Sequence, residues 1–146
     1  MGRGRLMRVL ALSLLPLPAL AGHELDGRDI AAGQAIYAEK CATCHGAKLQ
    51  GQPDWQTPDD QGIYPAPPHD ETGHTWHHSN ADLFDYTKRG GQAIVADLGL
   101  KSFTSGMPGF GDTLTDEEIW QVLAYIRATW PDRIREIHAS RNPPHD

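Results

Sequence analysis

Cys41-Ala42-Thr43-Cys44-His45 gathers two thiols and an imidazole within little more than one helical turn. Thiols at this spacing add to the two vinyl groups of a haem and make two thioethers. The ring is then held so that a nitrogen of the adjacent His meets the iron. Other chemistries at Cys-x-x-Cys fit the rest of the chain less well. A structural zinc site needs four protein ligands, and the chain has only these two Cys, although His69, His74, His77 and His78 offer nitrogens that could complete a Cys2His2 set. A redox dithiol follows a strand in a βαβ unit, whereas a helical pattern leads in here. A disulfide between such close Cys closes a very small ring and stabilises little. The pentapeptide therefore predicts one covalent haem c, with Cys41 and Cys44 as thioether donors and His45 as an axial iron ligand.

Six-coordinate haem iron takes a second ligand, often a Met thioether. Met1 and Met7 lie in an N-terminal segment with the character of a removable leader, which leaves Met107. Met107 stands in Ser105-Gly106-Met107-Pro108-Gly109-Phe110-Gly111. Glycines there allow close backbone approach, Pro108 stiffens the loop, and Phe110 can cover the ring. A Met that only fills core space belongs more naturally on a helix. Met107 is thus the expected second axial ligand.

Pro68 to His78 gathers His69, His74, His77 and His78 with Asp70, Glu71 and Trp76. Imidazole is the commonest metal ligand, so a second copper or zinc site is one reading. The other is a solvated loop in which one or two His, and Trp76, pack on the haem or hydrogen-bond its propionates. Trp55, Trp120 and Trp130 read as packing residues.

Short helices must position these groups. Asp29 to Lys40 has apolar residues at helical spacing, with Asp29 as N-cap, and runs into the Cys motif. Gln50 to Thr75, rich in Gly, Pro and polar residues, predicts a long loop. Ser79 or Asn80 opens a second helix, which Gly90-Gly91 stops. Ala93 to Leu100 adds a helical turn, and Ser102 to Gly111 is a loop. Thr115-Asp116-Glu117-Glu118 is a capping box opening a helix to about Thr129, with Ile119, Val122, Leu123 and Ile126 on one face and Pro131 ending it. No strand pattern is visible. Long loops need something large to pack on, and a haem supplies it. Residues 22–131 are therefore expected to form one domain, with 132–146 as a charged tail, frayed and then disordered.

Residues 1–21 read as a secretory signal peptide: Arg3, Arg5 and Arg8, then the apolar run Val9 to Ala21, with Ala19 and Ala21 before a cut at Gly22. The run is well short of the ~20 residues of a membrane crossing and holds Pro16 and Pro18. Export to the periplasm, with no transmembrane span in the mature chain, is the expectation. Losing the leader removes three of 13 basic residues and none of 19 acidic ones, leaving a formal charge of −9. Such a chain excludes nucleic acid as a natural partner and favours a protein with a basic docking patch.

Cys41 to His45 near the N-terminus, Gly106-Met107-Pro108 further on, and a C-terminal helix with Trp120 and Tyr125 together resemble a class I monohaem c-type cytochrome of the bacterial, exported kind. The resemblance covers most of residues 29–130. It implies an all-α cytochrome c fold of three to five short helices wrapped around one covalent haem. The first and last helices would cross near a haem edge, Gly33 and Tyr37 meeting the Val122–Tyr125 stretch. His45 and Met107 would lie on opposite haem faces, and a Pro carbonyl would orient the ligand His through its other nitrogen. Pro65, Pro67 and Pro68 all lie in a suitable loop, with Pro67 favoured. Gln50 to Ser79 departs from a minimal member of that family, being longer and richer in His.

The function so implied is outer-sphere electron transfer between periplasmic or membrane redox partners, with no catalysis. Two alternatives remain at this level: a haem enzyme or gas sensor in which Met107 is displaced, and a copper-handling accessory working through His69–His78.

Overall fold

The structure, a computed structural model, describes residues 24–142. The leader expectation for 1–21 lies outside the described residues. Within them the fold is all-α, built on five helical bodies.

The first body is one continuous run in three parts: α1 (Ile30–Ile36), a π-helical turn (Tyr37–Cys41) and α2 (Ala42–His45). Asp29 caps it, its carboxylate accepting from the N–H of Ala32 at 3.0 Å. α3 (Asn80–Arg89) opens on a Ser79–Asp82 capping box and stops at Gly90. α4 (Gly91–Asp97) follows at once, starting two residues before the turn expected at Ala93. α5 (Asp116–Ala128) opens on the Thr115–Glu118 box. Thr115 donates to the Glu118 carboxylate from its backbone N–H and its hydroxyl, which holds that carboxyl below its usual range.

The capping and periodicity signals are local, so they survive into the fold. A two-residue parallel pair is different. β1 (Ile63–Tyr64) meets β2 (Thr104–Ser105), with Ile63 opposite Thr104 and Tyr64 opposite Ser105. Two residues have no alternation to read, so the sequence carried no sign of it.

α1 crosses α5 at Gly33. A Cβ there would lie 2.1 Å from the carbonyl oxygen of Gln121 and 3.0 Å from Cβ of Tyr125, so only glycine lets the two backbones approach this closely. α5 buries Ile119, Val122, Leu123 and Ile126, the face the periodicity indicated, and full burial of side chains of this size contributes about 1.5–3 kcal/mol each. Two clusters share it. Leu25, Leu114, Ile119, Leu123 and Ala124 pack with Leu83, Phe84 and Trp120 on one side. Tyr37, Leu49, Val122, Ile126 and Trp130 pack with Cys41, Ala42 and Trp76 on the other. The second lies directly behind the Cys motif.

The tail expectation needs correction. Pro131 ends α5 but also starts α6 (Asp132–Ala139). α6 docks through Ile134 onto the second cluster and through His138, which is fully buried with its ring edge-on to Trp130. The side chain of Asn142 then accepts from the N–H of Asn80 at 2.6 Å. The charged residues of this segment line only the outer side of an amphipathic turn, so composition hid a packed face. Residues 143–146 lie outside the described residues.

Candidate functional site

The π turn delivers Cys41 and Cys44 at the end of the first helical body. The N–H of Ala42 reaches back to the carbonyl of Tyr37, one residue further than in an α-helix. No disulfide joins the two thiols; Cys41 is partly buried and Cys44 exposed. Burial, with the neighbouring Cys44 second, pushes the Cys41 thiol up to about 11, so it stays protonated at neutral pH.

His45 is buried and its orientation is set from several directions. Its Nδ1 donates to the carbonyl of Pro67 at 2.8 Å, which leaves Nε2 as the nitrogen for a metal. The carbonyl of His45 accepts from Gly51 N–H at 2.7 Å. Burial lowers the His45 pKa, partly opposed by the Pro67 bond. Of the three prolines offered by the sequence, Pro67 is the one whose carbonyl accepts from His45. Gly51, at φ +67, makes that approach possible: a Cβ there would fall 2.4 Å from the Pro68 nitrogen and 2.6 Å from the Pro67 carbonyl carbon.

The Met107 loop is tied down on both sides. The Met107 N–H donates to the Ser105 hydroxyl at 3.3 Å, and the Met107 carbonyl accepts from Gly91 N–H at 3.0 Å. The Ser105 hydroxyl is itself 2.8 Å from the Tyr86 hydroxyl. Phe110 and Gly111 donate to the carbonyls of Thr87 and Lys88 at 3.0 and 2.9 Å. The loop is thereby sewn to the C-terminal turn of α3, with Met107 partly buried.

The four His of the long loop separate. His69 turns inward and stacks on His45, ring centroids 3.8 Å apart and planes 19° from parallel. His74 stacks on Trp55 at 5.3 Å and meets His78 edge-on at 5.4 Å, while His77 lies against Trp76 at 3.7 Å. Among the described residues no group of three or more His, Cys, Asp or Glu is gathered to hold a metal ion, so the structure gives the second-metal reading no support. Trp76 packs against the cluster behind the motif, and its indole N–H donates to the Glu71 carbonyl at 3.3 Å.

Three further residues at the site had no functional reading in the sequence. Leu49 is buried at φ 62, a conformation rare for a bulky residue, and its carbonyl accepts from His69 N–H at 2.8 Å. Trp130 Nε1 donates to the His69 carbonyl at 2.7 Å. Tyr37, whose hydroxyl donates to the Gly46 carbonyl at 3.1 Å, sets its ring edge-on to His69; burial raises its pKa. All three are contacts across the chain, for which no local signal exists.

The residues fit a covalent haem. Two thiols not joined in a disulfide stand one turn apart, one beside an imidazole whose Nδ1 is engaged by the Pro67 carbonyl, which leaves Nε2 for iron. The class defined by this site and the all-α fold is that of small helical proteins built around an attached haem. The chain belongs to the cytochrome c family, whose model matches residues 30–130. Its cofactor is haem c, with Cys41 and Cys44 at positions that fit the attachment motif, and a cytochrome c domain implies haem-based electron transfer. The chain is also similar to a thiosulfate dehydrogenase of Stutzerimonas stutzeri (strain A1501), 33% identical over 123 residues. That match covers 75% of this chain and 34% of the relative, so the chain spans about a third of the relative's length. No solved structure gives a significant match. Among the described residues no helix is long and apolar enough to cross a membrane.

Proposed function

We propose that the protein is a single-haem electron carrier of the periplasm, not itself an enzyme, with His45 and Met107 as the axial iron ligands. The observation that carries the reading is the 2.8 Å hydrogen bond from His45 Nδ1 to the Pro67 carbonyl. It assigns the proton to Nδ1 and keeps the lone pair of Nε2 for iron, and it makes that nitrogen a stronger donor. Haem supplies a one-electron couple, and a thioether ligand raises its potential.

The chain's own part is to keep the ligands still. Pro67, which the absence of a side chain at Gly51 lets approach, fixes the imidazole. The Met107 loop has hydrogen bonds on both sides of the thioether, which supports a ligand that stays bound rather than one displaced by a gas or a substrate. Little then reorganises when the charge changes. The acidic balance of the chain supports a partner with a basic docking patch, and the Arg-led apolar segment 1–21 supports export.

The test is Met107→Ala in the haem-loaded protein. The wild type should be low-spin when reduced and should not take up carbon monoxide promptly. The variant should bind it at once, lose the red-end charge-transfer band of the oxidised form and titrate at a lower potential. A wild-type protein that is high-spin when reduced, or binds carbon monoxide immediately, would overturn the carrier reading.

A further inference from the structure

We infer that His69 is a positioning residue for His45, its stacked ring setting the plane in which the His45 imidazole faces the haem. The inference rests on His45 being an axial ligand. The hydrogen bond to Pro67 fixes one ring nitrogen of His45, but a ring can swing about that contact and keep it. A second constraint is needed to define the plane. The ring of His69 supplies it, lying 3.8 Å from that of His45 and 19° from parallel.

The backbone of His69 is held on both sides. Its N–H donates to the carbonyl of Leu49 at 2.8 Å and its carbonyl accepts from Trp130 Nε1 at 2.7 Å. Trp130 is 3% exposed. The ring of Tyr37, 1% exposed, stands edge-on at 5.9 Å and 65°. Leu49 carries the left-handed backbone that aims its carbonyl at His69. Strain of that kind persists where the surroundings over-determine it, and it clusters at sites where a geometry must be kept.

Nδ1 of His69 is sealed from solvent with no hydrogen-bond partner, so it is the face of the ring, and not a polar contact of that nitrogen, that meets His45. A flat ring is what the stack requires, since a branched aliphatic group would fill the volume without defining a plane.

The plane of an axial imidazole sets how its π orbital overlaps the iron orbitals. In the ferric state it is read by the low-spin electron paramagnetic resonance g-values and by the order of the shifted haem-methyl proton resonances. The experiment compares the full haem-loaded chain with H69F, which keeps a flat ring, and with H69L, which keeps the volume but not the plane. The wild type should give one narrow low-spin species. H69L should give a broadened or second low-spin signal and a changed methyl order, and H69F should restore the wild-type order. H69L with unchanged g-values and methyl order, or H69F displaced as far as H69L, would overturn the positioning role. H45G with added imidazole separates the two readings: if its low-spin spectrum does not depend on imidazole, His45 is not the ligand and the axial-ligand reading is what fails.

Discussion

Replacing Gly33 with alanine tests the crossing that places the haem-binding turn. An alanine Cβ would sit 2.1 Å from the carbonyl oxygen of Gln121, 2.6 Å from its carbonyl carbon and 3.0 Å from Cβ of Tyr125. Non-bonded heavy atoms prefer about 3.5–4 Å, so α1 and α5 must part by ~1 Å or more. Overpacking costs about 1–3 kcal/mol. The obstacle here is backbone, which cannot rotate aside, so the upper end applies. Alanine returns about 1 kcal/mol through its helix propensity. The net loss is about 2 kcal/mol, a fall in Tm of roughly 6–12 °C for a chain of this size. Guanidinium unfolding of the haem-loaded protein, followed by far-UV circular dichroism, should show a lower midpoint with an unchanged slope. Ala35→Gly, on the exposed side of the same helix, should lose about 1 kcal/mol by propensity alone. A Gly33→Ala protein as stable as the wild type, or more so, would refute the close-crossing argument, because only the propensity gain would then remain.

Two further outcomes follow from the loop and from α6. Burial comes first among the causes that hold His74 and His78 below the ordinary His value of 6.5; other His add to it for both, and Asp82 opposes it for His78. Above pH 6.5 both residues are neutral in the folded and unfolded chain, so stability is full there. As pH falls below 6.5 the unfolded chain binds protons that the fold resists, so stability should decline until the lowered folded values are passed. Denaturant midpoints between pH 7.5 and 5 should show the decline, and His74→Gln should flatten it; a slope unchanged by that substitution would refute the assignment. Ending the chain after Pro131 removes the partly buried Ile134 from the second cluster and the buried His138 from Trp130 and should cost about 1.5–3 kcal/mol, the worth of one large apolar side chain fully buried; a midpoint equal to that of the full chain would show that α6 is dispensable.

The chemistry of this protein was legible where it depends on neighbours in sequence. Cys41, Cys44 and His45 lie within little more than one helical turn, so their types and spacing implied a covalent haem. The Asp29 cap, the Thr115 capping box and the buried face of α5 are also local, and each stands where its pattern put it, while the Ser79–Asp82 box fixes a helix start that the sequence left between Ser79 and Asn80. Tertiary structure decided what depends on residues far apart. Pro65, Pro67 and Pro68 share one loop, with Pro67 favoured by resemblance alone, and it is the return of the loop over Gly51 that brings the Pro67 carbonyl to His45. His69 looked like one of four loop imidazoles, yet Leu49, from 20 residues before it, and Trp130, from 61 after it, turn it onto His45. The charged segment after Pro131 looked like a loose tail because composition does not record which face a helix turns inward. Local pattern sets the elements and the reactive groups; contacts between distant segments set which groups meet, because closing those loops is worthwhile only when the whole core forms at once.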